Sequence, residues 1–136
     1  MIEQFAAVFI AFYVGHMIGD HWVQSSRQAE MKSESRAHRL AHVATLSITK
    51  LIFVLMLIPL GFDLHPISLV GAIALIGLTH YWIDDRKNLR KLAKLLGKEK
   101  FYDLGTPPVG TGAYQLDQSA HLLMIFLFSV MLAFFG

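Results

Sequence analysis

Hydrophobic and polar positions divide the chain into four long apolar stretches with polar segments between them. The apolar stretches are residues 2–24, 38–60, 67–85 and 115–135, each close to the ~20 residues that carry an α-helix across a bilayer core. Residues 25–37 form a polar loop of mixed charge, Pro59 suits a helix end, and residues 61–66 form a short turn in which His65 is a surface residue. Residues 86–100 follow another pattern. Leucines at 89, 92, 95 and 96 stand against a Lys/Arg face, which is how an amphipathic helix lies in the interface of an anionic leaflet. The stretch Gly105–Gly112 reads as an irregular loop without the Lys-Ser/Thr ending of a phosphate-binding P-loop. The pattern predicts an all-α integral membrane bundle of four transmembrane helices, with one amphipathic interfacial helix, as a single domain over residues 1–136.

Composition agrees with that solvent. Hydrophobic residues make up 54% of the chain and the mean hydropathy is +0.49, more than a soluble domain of this size carries. The first stretch does not read as a signal peptide, because Met-Ile-Glu-Gln lacks a positive start and the stretch ends in polar residues. With no cysteine, disulfides, thiolate metal sites and cysteine nucleophiles are excluded, so any metal must be held by nitrogen and oxygen. Net charge is only +2, but Arg and Lys gather in 27–39 and 86–100. If four helices alternate in direction, both basic segments lie on one side. The positive-inside rule makes that side cytoplasmic and puts both termini outside, as expected for a multi-pass protein of the bacterial inner membrane with anionic inner-leaflet lipids as partners. Nothing suggests nucleic acid beyond basic loops that lipid phosphate explains as well.

Polar residues inside the apolar stretches carry the chemistry. His16 and Asp20, His38 and His42, His80 and Asp84, and Asp117 and His121 are each four residues apart, a spacing that puts both side chains on one helix face. Seven histidines and six aspartates in 136 residues would give roughly one such pair by chance. Alternating helices bring the end of the first, the start of the second, the end of the third and the start of the fourth to one side, and the four pairs lie at those four places. Gly15 and Gly19 form a small-xxx-small pair that lets a neighbouring helix approach closely. Lys50, near the middle of the second stretch, must face the bundle or snorkel.

Helices converging with inward His and carboxylate side chains are how bundles hold metal ions, although the Glu-x-x-His spacing of di-iron bundles is absent. Five histidines with three aspartates suit Zn²⁺, or another transition metal such as Mn²⁺ or Fe²⁺, better than Mg²⁺ or Ca²⁺. The expectation is one or two ions, with His16, Asp20, His38, His42, His80, Asp84, Asp117 and His121 as ligands. Gln24 and Gln118 are placed to orient those ligands by hydrogen bonds. Asp85, Arg86 and Lys87 read as interface markers. The simpler alternative is that the eight residues only hydrogen-bond one another as glue between helices.

The run His16-x3-Asp20 with Gln24, the pairs His38-x3-His42 and His80-x3-Asp84, and Leu116-Asp117-Gln118-x2-His121 resemble a family of small bacterial and phage integral membrane proteins of unknown function. That resemblance covers nearly the whole chain and implies the membrane fold and these positions. More remotely, the helical His-x3-Asp pairs are similar to those of membrane-bound metal-dependent hydrolases and of the soluble zinc phospholipase C and nuclease group, in which such pairs ligate zinc at phosphoester-cleaving centres. The N-terminal tryptophan ligand of the soluble group has no counterpart here. The likeness implies a metal-dependent hydrolase of a phosphate ester, which the charge pattern puts at the cytoplasmic leaflet with a lipid-phosphate substrate. His21, offset by about 100° from Asp20 on the helix, is the expected catalytic proton donor to the leaving group. Two other functions fit the same residues. One is a metal carrier or sensor without turnover, in which Lys50, Thr45 and Thr49 belong to a path across the membrane; the other is a phage or prophage-type interaction protein whose polar layer is structural.

Overall fold

A computed structural model describes residues 1–105 and 111–135 of the chain. In order, its helices are α1 (Ile2–Ile18), α2 (Ser26–Met31), α3 (Arg36–Leu55), α4 (Pro66–Ile83), α5 (Arg86–Leu95), α6 (Glu99–Tyr102) and α7 (Gly112–Phe135). Among the described residues there is no strand. Four segments, Ile2–Val23, Arg36–Leu60, Pro66–Ile83 and Gly112–Phe135, are long and apolar enough to cross a membrane, so the four expected spans are present. Residues 106–110, inside the stretch read as an irregular loop, lie outside the described residues.

The four long helices pack as a square. α1 lies against α3 and α7, and α4 against the same two. Residues on their outer faces, among them Ile10, Ile48, Ile67, Val70, Leu78 and Phe126, are exposed, as helices solvated by lipid require. Inside, one half is apolar: Val8, Phe12, Val54, Leu69, Ala72, Ile76, Ile125 and Leu132 are buried. The other half of the interior is polar, which in lipid is tolerated where groups face one another.

Gly15 and Gly19 set the α1–α3 spacing. A Cβ on Gly15 would stand 2.8 Å from the backbone Cα of Lys50, and one on Gly19 would run into the end of the Leu46 side chain. At Gly15 only a bare backbone allows that approach. Lys50 does not snorkel: its side chain turns into the bundle and is 1% exposed.

Helix boundaries differ from the hydropathy pattern where capping chemistry intervenes. The first span is α-helical only to Ile18; Gly19–Val23 form a π turn, closed by the Gln24 N–H donating to the Gly19 carbonyl at 3.1 Å. The polar segment 25–37 contains α2, started by a capping box between Ser25 and Gln28. This Ser-x-x-Gln signal was present in the sequence. Ser35 caps α3, which therefore begins at Arg36 and ends at Leu55, before the turn containing Pro59. Pro66 occupies the first position of α4, where its missing N–H is harmless.

The interfacial segment is two helices instead of one over 86–100. Gly97, at φ +69°, breaks it. The Lys98 N–H donates to the Ala93 carbonyl at 2.7 Å and the Gly97 N–H to the Lys94 carbonyl at 3.1 Å, a Schellman closure. The apolar stripe is also divided: Leu89 and Ala93 are buried, whereas Leu95 and Leu96 are exposed.

Candidate metal centre

Each long helix contributes to one buried polar layer. α1 with its π turn supplies His16 and Asp20, α3 supplies His42, the end of α4 supplies His80 and Asp84, and α7 supplies Asp117 and His121; all seven are buried. Two groups of three have ligand atoms within 4.8 Å of one another, Asp20–His42–His80 and His80–Asp84–His121. His80 is common to both. The His42 Nε2 lies 3.1 Å from Asp20 Oδ1 and 3.1 Å from His80 Nε2. The Asp84 carboxylate lies 3.2 Å from His80 Nε2 and 3.5 Å from His121 Nε2. Ligands about 2.0–2.1 Å from a tetrahedral zinc stand about 3.3 Å from one another, so these separations suit a shared ion.

Unpartnered atoms point the same way. Among the described residues, both ring nitrogens of His16, Asp84 Oδ1, Asp117 Oδ1 and His121 Nε2 are buried without a hydrogen bond. Leaving such groups unsatisfied costs about 1–3 kcal/mol each, a cost that an ion drawing them together would offset. The His16 ring is 5.5 Å from that of His80 and 5.1 Å from that of His121, beside the two groups.

Family comparison bears on the same stretch. The family model described as "Protein of unknown function (DUF3307)" matches residues 8–135. The chain belongs to that family. No curated protein and no solved structure matched. Family membership accords with the likeness to small membrane proteins of unknown function, while the remoter likeness to hydrolases gains nothing from it.

Other expected site residues stand apart from the layer or at its edge. His38 is not brought to either group; half-buried one turn before His42, it has its Nδ1 2.9 Å from Ser35 Oγ, serving the helix start. Gln118 donates to Asp20 Oδ2 at 3.3 Å and to Asp117 Oδ2 at 3.2 Å, linking two carboxylates of different helices. The Gln24 side-chain amide donates to the Asp20 carbonyl, so it braces the π turn and not a ligand's ring. His21 is exposed, with Nε2 3.2 Å from the Tyr114 hydroxyl and Nδ1 3.0 Å from the Met17 carbonyl. It lies on the wall of a cleft of about 430 Å³ that reaches Asp20 and Asp117 and is lined also by Lys32, Arg86 and Tyr114. Arg86 is more than an interface marker, since its guanidinium is 3.8 Å from Asp117 Oδ2.

Two cations that the sequence pattern did not single out complete the layer. The Lys32 Nζ, from the turn after α2, lies 2.8 Å from Asp20 Oδ1, 3.5 Å from Asp84 Oδ2 and 3.4 Å from His42 Nε2. Burial by itself would lower the Lys32 pKa, but the Asp84 and Asp20 carboxylates outweigh it and hold the ammonium above its usual range. Asp84 is the mirror case: burial would raise it, yet the imidazoles of His121 and His80 and the Lys32 charge keep it below the usual carboxylate range. Arg39, 4% exposed, holds the turn. Its Nε donates to the Lys32 carbonyl at 2.7 Å and a terminal nitrogen to the Ser33 carbonyl at 3.1 Å, while the other pairs with Asp85 at 2.9 Å. The guanidinium also lies 5.0 Å from the centre of the Tyr81 ring.

Proposed function

We propose that this protein is a metal-dependent hydrolase of a phosphate ester, acting at the membrane face that carries the basic loops, on a lipid headgroup or lipid-linked phosphate. That face is assigned to the cytoplasm by its charge. One observation carries the proposal: two three-residue His/Asp groups meet at His80 beside a cleft of about 430 Å³. Structural zinc sites are closed by four protein ligands, whereas catalytic ones have three and an open position.

The donor set, imidazole with carboxylate, suits Zn²⁺, Mn²⁺ or Fe²⁺. Asp20, His42, His80, Asp84 and His121 would hold the metal, with His16 and Asp117 adjacent. A bound ion supplies an activated water and polarises the phosphoryl group. Around it, the chain's own residues do the rest. Gln118 fixes the Asp20 and Asp117 carboxylates in orientation. His21, held by Met17 and Tyr114 on the cleft wall, would pass a proton to a leaving group. Arg86, in the same wall, offers a guanidinium to phosphate oxygens.

A second reading has its own support. Lys32, Asp20, Asp84 and the histidines already pair across the layer, which would hold the helices together with no ion at all. Detergent-purified protein decides between them. The hydrolase reading expects stoichiometric transition metal and release of phosphate from a lipid phosphate monoester, abolished by His121→Ala. Metal-free protein that gains no thermal stability from Zn²⁺, Mn²⁺ or Fe²⁺ would leave the structural role.

A further inference from the structure

We propose that the centre is built for one metal ion and one fixed ammonium: His80, Asp84 and His121 take the ion, and the Lys32 Nζ occupies the Asp20–His42–His80 group where a second ion would otherwise sit. The inference rests on the metal-binding reading and assigns it a stoichiometry and an unequal use of the two groups.

Geometry separates the two groups. Lys32 Nζ is 2.8 Å from Asp20 Oδ1 and 3.4 Å from His42 Nε2, two of the three ligand atoms of one group. An ion about 2.0–2.2 Å from both of those atoms would compete with the ammonium for the same lone pairs. In the other group Lys32 reaches only Asp84 Oδ2, at 3.5 Å. The remaining Asp84 oxygen is 3.5 Å from His121 Nε2, and both of these atoms lack a hydrogen bond among the described residues.

Lys32 is also too well braced to be a stray surface lysine. Its side chain is 11% exposed, and the buried Arg39 grips the Lys32 and Ser33 carbonyls while pairing with Asp85, between α4 and α5. Admitting a second ion would mean expelling the ammonium against this brace.

Charge favours the same division. Asp20, Asp84 and Asp117 are buried carboxylates, and one divalent ion with one ammonium balances three negative charges. Two divalent ions beside Lys32 would leave an excess of two positive charges in a layer with little water to solvate them. The Arg86 guanidinium, 3.8 Å from Asp117 Oδ2, is always charged and weighs further against a second ion. An ammonium fixed there also offers what a second ion offers in two-metal sites: a preorganised positive charge next to the reacting group.

Metal counting on the full-length, detergent-solubilised protein tests this. After saturation with Zn²⁺ and removal of free metal, wild type should hold about one equivalent, and Lys32→Met or Lys32→Gln about two. Asp20→Asn should keep its ion, whereas His121→Ala should lose it. Two equivalents in wild type would overturn the proposal, as would a folded Lys32→Met and Lys32→Gln that both stay at one. So would loss of the ion in Asp20→Asn with retention in His121→Ala, an outcome that does not depend on the Lys32 variants folding. Wild type that binds no metal overturns the metal reading itself, and this inference with it.

Discussion

The Nε2 atoms of His42 and His80, on neighbouring helices, face each other at 3.1 Å. Two imidazole nitrogens so placed share at most one proton between them. A Lewis acid should therefore be welcome in this layer.

That relationship makes His80 the position whose loss is felt most. His80→Ala removes the residue common to both His/Asp groups, so it should lose nearly all bound metal and lower the melting temperature by roughly 3–9 °C. His38→Ala, which removes a contact with Ser35, should keep its metal. Equal metal loss in the two variants, by elemental analysis, would mean that the layer rearranges to include His38. Bound metal should also be released by acid, because protons compete for the imidazole and carboxylate lone pairs that hold it.

Two groups outside the spans set the pH dependence of the metal-free protein. Asp84 has a lowered pKa when folded, so its contribution is complete above the unfolded value near ~4 and is lost as pH falls through the lower folded value. Lys32 has a raised pKa, so its contribution is complete below the unfolded value near ~10.4 and is lost as pH rises through the higher folded one. Chelator-treated protein should show an alkaline decline in melting temperature that Lys32→Met abolishes. An alkaline decline that survives in the variant would belong to another group.

Gly15→Ala tests the α1–α3 approach. Its new Cβ would meet the Lys50 backbone at 2.8 Å, and backbone cannot swing aside as a side-chain end does. The expected cost is about 1–3 kcal/mol. Gly71→Ala, where a Cβ has nothing within 4 Å, is the control. Similar melting curves for the two would show that the helices are not held at that spacing.

Sidedness can be read by labelling. A cysteine replacing exposed Glu34 should resist an impermeant thiol reagent in intact cells, and one replacing exposed Asp63 should react. The reverse result moves the metal layer to the outer face.

Much of this was legible in the chain. The four spans follow from runs of apolar residues, and the four i, i+4 pairs follow from helix geometry, which needs no tertiary information. His38 misleads because sharing a helix face with His42 does not bring it to the same depth as the other pairs. Lys32 and Arg39 were hidden for the opposite reason. Lys32 lies in a segment whose composition reads as solvated loop and Arg39 at the very start of an apolar stretch, and their burial exists only once Lys32 reaches Asp20 and Arg39 reaches Asp85, beyond the end of α4. No local spacing encodes those contacts. The π turn was equally invisible, because Gly19–Val23 carries no signature that separates it from α-helix.

The extra residue in that turn works as a register shift. Up to Ile18 the chain keeps the α-helical step, and Gly19–Val23 absorbs one more residue before Gln24 leaves in an extended conformation. Removing a single residue there would leave an ordinary helical turn with nearly the same exit direction, because the wider turn already absorbs that residue. His16 and the segment carrying Lys32 would keep their places, while Asp20, inside the turn, would lose the wide backbone that now presents it. Length variation at this point should thus be tolerated by the membrane fold and felt at Asp20, the carboxylate that grips the ammonium.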